Sequence, residues 1–84
     1  MNLTLTQLGV LAYAATRDRV TSRDAAEAVS LTVETARDAM EDLAEGGLLA
    51  RNGKAGRYGF AYAITPNGLA VLAAITTEQG GGPS

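Results

Sequence analysis

The sequence predicts a small α+β domain, mainly α, in which a helix-turn-helix is followed by a two-stranded hairpin and a closing helix. Three observations carry that prediction. Apolar residues recur at helical spacing on both sides of Ser30-Leu31-Thr32, Gly46-Gly47 stops the second of these helices, and a run alternating between two faces leads from Tyr58 to Ile64. With 84 residues the chain is one domain, near the lower end of what sustains its own core.

The first helix is expected from about Leu5 to Thr16. Thr4 can cap it, Gln7 three residues later can reciprocate, and Leu3 can staple onto Leu8. Leu5, Leu8, Leu11, Ala12 and Ala15 share one face, while Val10, Tyr13 and Ala14 make much of the other side apolar too. No residue before Arg17 carries a side-chain charge, which fits either a helix central to the core or a subunit contact. Arg17-Asp18-Arg19 is a polar connection, and Val20-Thr21 forms a short extended piece able to pair with the later strands. Arg17, Arg19 and Arg23 fall where a helix-turn-helix can meet a phosphate backbone; the competing reading is solvated charge balanced by Asp18 and Asp24.

Thr21 or Ser22 caps the second helix, whose apolar face is Ala25, Ala26, Ala28 and Val29. Leu31 plugs the turn and Thr32 caps the third helix. Ala36, Ala39, Met40 and Leu43 then face inward, with Met40 and Leu43 expected under Phe60 or Tyr62, and Glu34, Arg37, Asp38, Glu41, Asp42 and Glu45 face outward. Gly46-Gly47 supplies the left-handed position that ends a helix. Leu48 to Arg51 reads as a strand, residues 52–56 as a hairpin tip, and Arg57 to Ile64 as the return, with Tyr58, Phe60, Tyr62 and Ile64 on one side. Thr65-Pro66 opens the last helix, which carries Leu69, Val71, Leu72 and Ile75 and runs to about Thr76. Residues 77–84 are expected to be a disordered, glycine-rich tail after a domain spanning 1–76.

The order is helix, short extended piece, helix, helix, strand, strand, helix: a winged helix-turn-helix. Residues 3–76 resemble the winged helix-turn-helix transcription regulators, and most closely the core of the multiple-antibiotic-resistance-regulator (MarR) type. The resemblance lies in the opening helix from Leu3 to Leu11, the helix-turn-helix from Ala25, and Glu45-Gly46-Gly47-Leu48-Leu49 as entry to the wing. Gly56-Arg57 is similar to the wing arginine, and Ile64-Thr65-Pro66-Asn67-Gly68 to the exit from the wing. The acidic residue that often precedes the wing arginine is replaced by Ala55-Gly56, and the turn position often held by glycine is Ser30. The family's flanking dimerisation helices have no counterpart, so a homodimer is expected through the first and last helices instead.

The resemblance implies a DNA-binding transcriptional regulator whose third helix enters the major groove of double-stranded DNA. Thr32, Thr35 and Arg37 are the candidate contacts on that helix, and Arg51, Lys54 and Arg57 those on the wing. Charge points elsewhere. The chain carries 7 Lys and Arg against 9 Asp and Glu for a net charge of −2, with an isoelectric point near 4.9, which is not the basic footprint of a duplex binder. Arg37 stands alone on the third helix among Glu34, Asp38, Glu41, Asp42 and Glu45. The alternative is therefore a protein-protein interaction module whose acidic helix 33–45 docks on a basic partner. With no histidine and no cysteine, thiolate metal sites and imidazole-assisted nucleophiles are excluded, and no enzyme activity, cofactor or metal is expected. The acidic helix could collect a hard cation only if loop carbonyls joined it. Neither a signal peptide nor a membrane span is present in the sequence, and a cytoplasmic protein is expected.

Overall fold

The computed structural model describes residues 3–54 and 60–80, the side chains of 76–80 excepted. Its elements are α1 (Leu5–Ala14), α2 (Ser22–Ala28), α3 (Val33–Glu45), β1 (Leu49–Lys54), β2 (Phe60–Ile64) and α4 (Pro66–Gly80). The two strands pair antiparallel, with Leu49 opposite Ile64 and Arg51 opposite Tyr62, and the register shifts between Arg51 and Lys54. On the other edge of β2, Val20 forms a one-residue bridge to Tyr62, the two exchanging backbone hydrogen bonds of 2.8 Å each. The short extended piece expected at Val20-Thr21 is thus a single-residue bridge at Val20, beside a two-stranded sheet.

Each helix start is set by a threonine. The Thr4 hydroxyl accepts from the Gln7 amide at 3.0 Å while the Gln7 side chain accepts from the Thr4 amide. Thr21 and Asp24 make the same reciprocal box on α2, and Thr32 accepts from the Thr35 amide at 3.1 Å on α3. Such caps satisfy amides that a helix's first turn leaves without intrahelical partners. The ends of α2 and α3 are set by left-handed residues, whereas α1 ends on the right-handed Ala15. Gly47, at φ 79°, lets its own amide reach the Ala44 carbonyl and the Leu48 amide reach that of Leu43, the paired 5→2 and 6→1 bonds of a Schellman motif. After α2 the left-handed residue is Ser30, at φ 57°, and the Leu31 amide closes onto the Ala26 carbonyl at 2.8 Å.

The core joins Val10, Leu11 and Ala14 of α1 to Ala25 and Ala26 of α2, and to Ala36, Ala39, Met40 and Leu43 of α3. Val20, Leu48, Leu49 and Tyr62 close it from the sheet side. Alanines supply much of the α2 and α3 surfaces in this core, and such small side chains let two helices approach closely. Met40 and Leu43 are buried as expected, and of the two aromatic candidates it is Tyr62 that joins their cluster.

Several expectations are corrected, among them the hairpin tip at 52–56, since β1 continues through Lys54. Leu5 is 88% exposed rather than on the core face, and Ala12 is exposed as well, whereas Val10 is fully buried. A helix apolar nearly all round carries too little pattern to select its inner face, so its neighbours select it. Ala28 of α2 is likewise exposed. In β2 the alternation fails: Phe60 is exposed, but Ala61 and Tyr62, adjacent in sequence, are both buried. The shift of register beyond Arg51 lies beside Phe60, and the Val20 bridge covers the other edge at Tyr62, so strict two-residue periodicity does not hold across this stretch. Finally, α1 ends at Ala14 and not Thr16.

At the far end, α4 extends beyond Thr76 to Gly80, and residues 81–84 lie outside the described residues. Thr65 joins this helix to the rest. Its hydroxyl donates to the Gly47 carbonyl at 2.6 Å and accepts from the Gly68 amide at 2.9 Å, and its own amide donates to the Leu48 carbonyl. The start of α4 is thereby bonded to the turn between α3 and the wing.

Candidate nucleic-acid interface

The candidate surface begins with α3, whose inner face is Ala36, Ala39, Met40 and Leu43. At about 100° per residue the side opposite carries Glu34, Asp38, Glu41 and Glu45, all exposed. The most outward stripe of this helix is therefore entirely acidic. Arg37 and Thr35 are exposed on its two flanks, and at two residues apart they stand on nearly opposite sides of the helix axis. The structure does not bring these two sequence-predicted contacts onto one face.

Arg37 shares the flank of Glu41 and Ala44. One turn further on, Glu41, Ala44 and Glu45 line an open groove of about 410 Å³ whose other wall is Arg51 and Tyr62. The opposite flank turns toward α1, where the Gln7 amide group donates to the Asp42 carboxylate at 3.3 Å. At the N-terminus of α3, the Thr32 hydroxyl both accepts from the Thr35 amide and donates to Thr35 Oγ1 at 2.8 Å. Its proton is engaged in the cap, and the hydroxyl free to donate outward is that of Thr35. Glu34 occupies the first turn, where its charge suits the positive end of the helix dipole but opposes a phosphate at the same place.

The wing carries the cations. Arg51 and Lys54 are both exposed on β1, and the Arg51 guanidinium lies over the Phe60 ring, 4.2 Å from its centroid. Phe60 is thus exposed for a local reason, as the platform on which a cation rests. Arg57 lies outside the described residues, so the wing-tip contact expected there has no geometry to report. One of the three arginines that the sequence places near a phosphate backbone joins the wing, a contact the sequence did not predict: Arg19 donates through Nη2 to the Lys54 carbonyl at 3.4 Å. That contact spans 35 positions, and its only sequence signal is adjacency to the Val20 piece.

Three helices, a capped turn, a hairpin wing bonded to the last helix and an exposed third helix agree with a set of solved structures over most of the chain. BpsR of Bordetella bronchiseptica superposes with a TM-score of 0.80 at 27% identity, covering 93% of this chain and 58% of its own. MepR, a transcription regulator of the Staphylococcus aureus multidrug efflux pump MepA, gives 0.77 at 27%, covering 90% and 57%. MarR of E. coli, in its apo form, gives 0.80 at 17%, covering 90% and 57%.

The fold is the MarR-type winged helix-turn-helix.

No family model and no curated protein matches the sequence. The chain spans a little over half the length of these winged-helix neighbours. Among the described residues no group of three or more carboxylates is arranged to hold a metal ion, and no helix is long and apolar enough to cross a membrane.

Proposed function

We propose that this winged helix is the double-stranded-DNA-binding part of a transcriptional regulator. The observation that carries this reading is the superposition of 93% of the chain on BpsR, a protein whose DNA binding is regulated by 6-hydroxynicotinic acid. Local features support it. The cations of the wing, Arg51 and Lys54, are exposed, and together with Arg57 they give the hairpin the charge needed to neutralise phosphates. On opposite flanks of the N-terminal half of α3, the part of a recognition helix that contacts bases, Thr35 offers a hydroxyl and Arg37 a guanidinium; Thr32 orders that end. The regulator acts as a homodimer through the first and last helices, where Leu5 and Leu69 are 88% and 49% exposed, and needs neither cofactor nor metal. It works in the cytoplasm and is not an enzyme.

The acidic stripe of α3 favours a second reading, in which helix 33–45 docks on a basic protein partner. Fluorescence anisotropy with random duplex at low and moderate salt separates the two. Binding that weakens steeply with salt supports the DNA reading, and no binding at low salt overturns it.

A further inference from the structure

We infer that Arg19 is a phosphate-contacting residue that also positions the wing, so that the DNA-binding surface begins in the connection between α1 and α2. This inference rests on the DNA reading above and adds a residue to it. Val20 is fully buried and exchanges two backbone hydrogen bonds with Tyr62, which holds the adjacent Arg19 beside the sheet. Of the neighbouring arginines, Arg17 lies over the Tyr13 ring at 5.4 Å, back on α1. Arg19 instead extends to the wing, where its Nη2 donates to the Lys54 carbonyl.

The same guanidinium lies 3.6 Å from where a side chain on Gly53 would begin, and Gly53 has φ 84°. A residue there with a side chain would be strained by its backbone, and its Cβ would meet the guanidinium at ordinary contact distance. The contact uses one donor of a guanidinium that has five. The remaining N–H groups are able to grip a phosphate in the bidentate manner that suits arginine and not lysine. Arg19 is exposed, and it brings a third cation to the end of β1 that already carries Arg51 and Lys54. With the outward stripe of α3 acidic, this cluster supplies cations able to neutralise phosphates.

The test compares the wild-type chain with Arg19→Gln and Arg19→Ala on random duplex between 50 and 200 mM salt. Amide hydrogen exchange at residues 52–54 is read in parallel. Glutamine loses the charge and keeps an amide donor, but on a side chain two bonds shorter than the guanidinium. Arg19→Gln is expected to lower the salt slope by about one unit, equivalent to roughly threefold to fourfold less weakening across that range, with wing exchange between that of wild type and that of Arg19→Ala. Arg19→Ala is expected to lose the same slope and to speed exchange at 52–54. A wild type that binds alongside an Arg19→Gln variant of equal affinity and slope overturns the phosphate contact while leaving the DNA reading standing. Unchanged exchange in Arg19→Ala overturns the positioning role. A wild type that does not bind duplex at low salt overturns the DNA reading and the phosphate contact together, and the exchange result still decides the positioning role.

Discussion

Gly68 lies so close to the Leu48 carbonyl oxygen that no side chain fits between them. A Cβ built on Gly68 collides with that oxygen and lies 2.8 Å from the Ile64 side chain. The glycine is therefore a matter of space, not of backbone freedom: α4 has to start against the strand entry because Thr65 bonds to Gly47 and Leu48 there. Gly68→Ala is expected to destabilise the chain by about 1 to 3 kcal/mol through overpacking, although alanine favours a helix interior by about 1 kcal/mol. Urea denaturation measures the difference, and a variant as stable as wild type would mean that α4 does not sit where it is described.

Ser30 gives the opposite expectation. Its left-handed φ of 57° costs a residue with a Cβ about 1 to 2 kcal/mol, and glycine regains part of that at an unfolded-state entropy cost of about 0.4 to 1 kcal/mol. Ser30→Gly is expected to raise stability by about 0.5 to 1 kcal/mol. A thermal midpoint that stays level or falls would contradict the left-handed turn.

Leu43 is 1% exposed and belongs to the core cluster with Met40 and Tyr62. Leu43→Ala is expected to cost about 2 to 5 kcal/mol, a large share of the stability of a domain this small. A loss below about 1 kcal/mol in a denaturation series would show that α3 rests on another face.

Charge changes on the two sides of the candidate interface should act in opposite directions on DNA. Glu34→Gln combined with Asp38→Asn is expected to tighten non-specific duplex binding, and Lys54→Ala or Arg57→Ala to weaken it, each lost phosphate contact reducing the salt slope by about one unit. Arg37→Ala is expected to lose about 1 to 3 kcal/mol of discrimination at one base pair with less effect on the slope. A partner-docking module reverses the pattern: the acidic variants lose partner binding and the wing variants are silent.

The assembly prediction concerns Leu5 and Leu69, both large, apolar and exposed. A homodimer through the first and last helices is expected to appear in light scattering as a mass that rises with concentration. It would set two recognition helices about one DNA turn, roughly 34 Å, apart. A strictly monomeric mass at the highest concentration rejects it.

What the sequence by itself determined was much of what depends on neighbours three to six positions apart. The Thr4-Gln7 box, the Thr32 cap and the glycine stop after α3 are local hydrogen-bond problems with local solutions, and the α2 cap was narrowed to Thr21 or Ser22, so the helix-turn-helix and the element order were legible. The inner face of α3 was legible too, because its charges leave only one apolar side. Tertiary structure decided what local pattern leaves degenerate. On α1, apolar nearly all round, only packing could choose Val10 over Leu5. On β2, the Val20 bridge and the shifted register override alternation, so Tyr62 is buried while Phe60 stays outside beneath Arg51. In the candidate interface, residue types could be read from the sequence but their companions could not. The contact of Arg19 with Lys54 and that of Thr65 with Gly47 join positions 35 and 18 apart, and no periodicity along the chain encodes which distant carbonyl a side chain will meet once the core has closed.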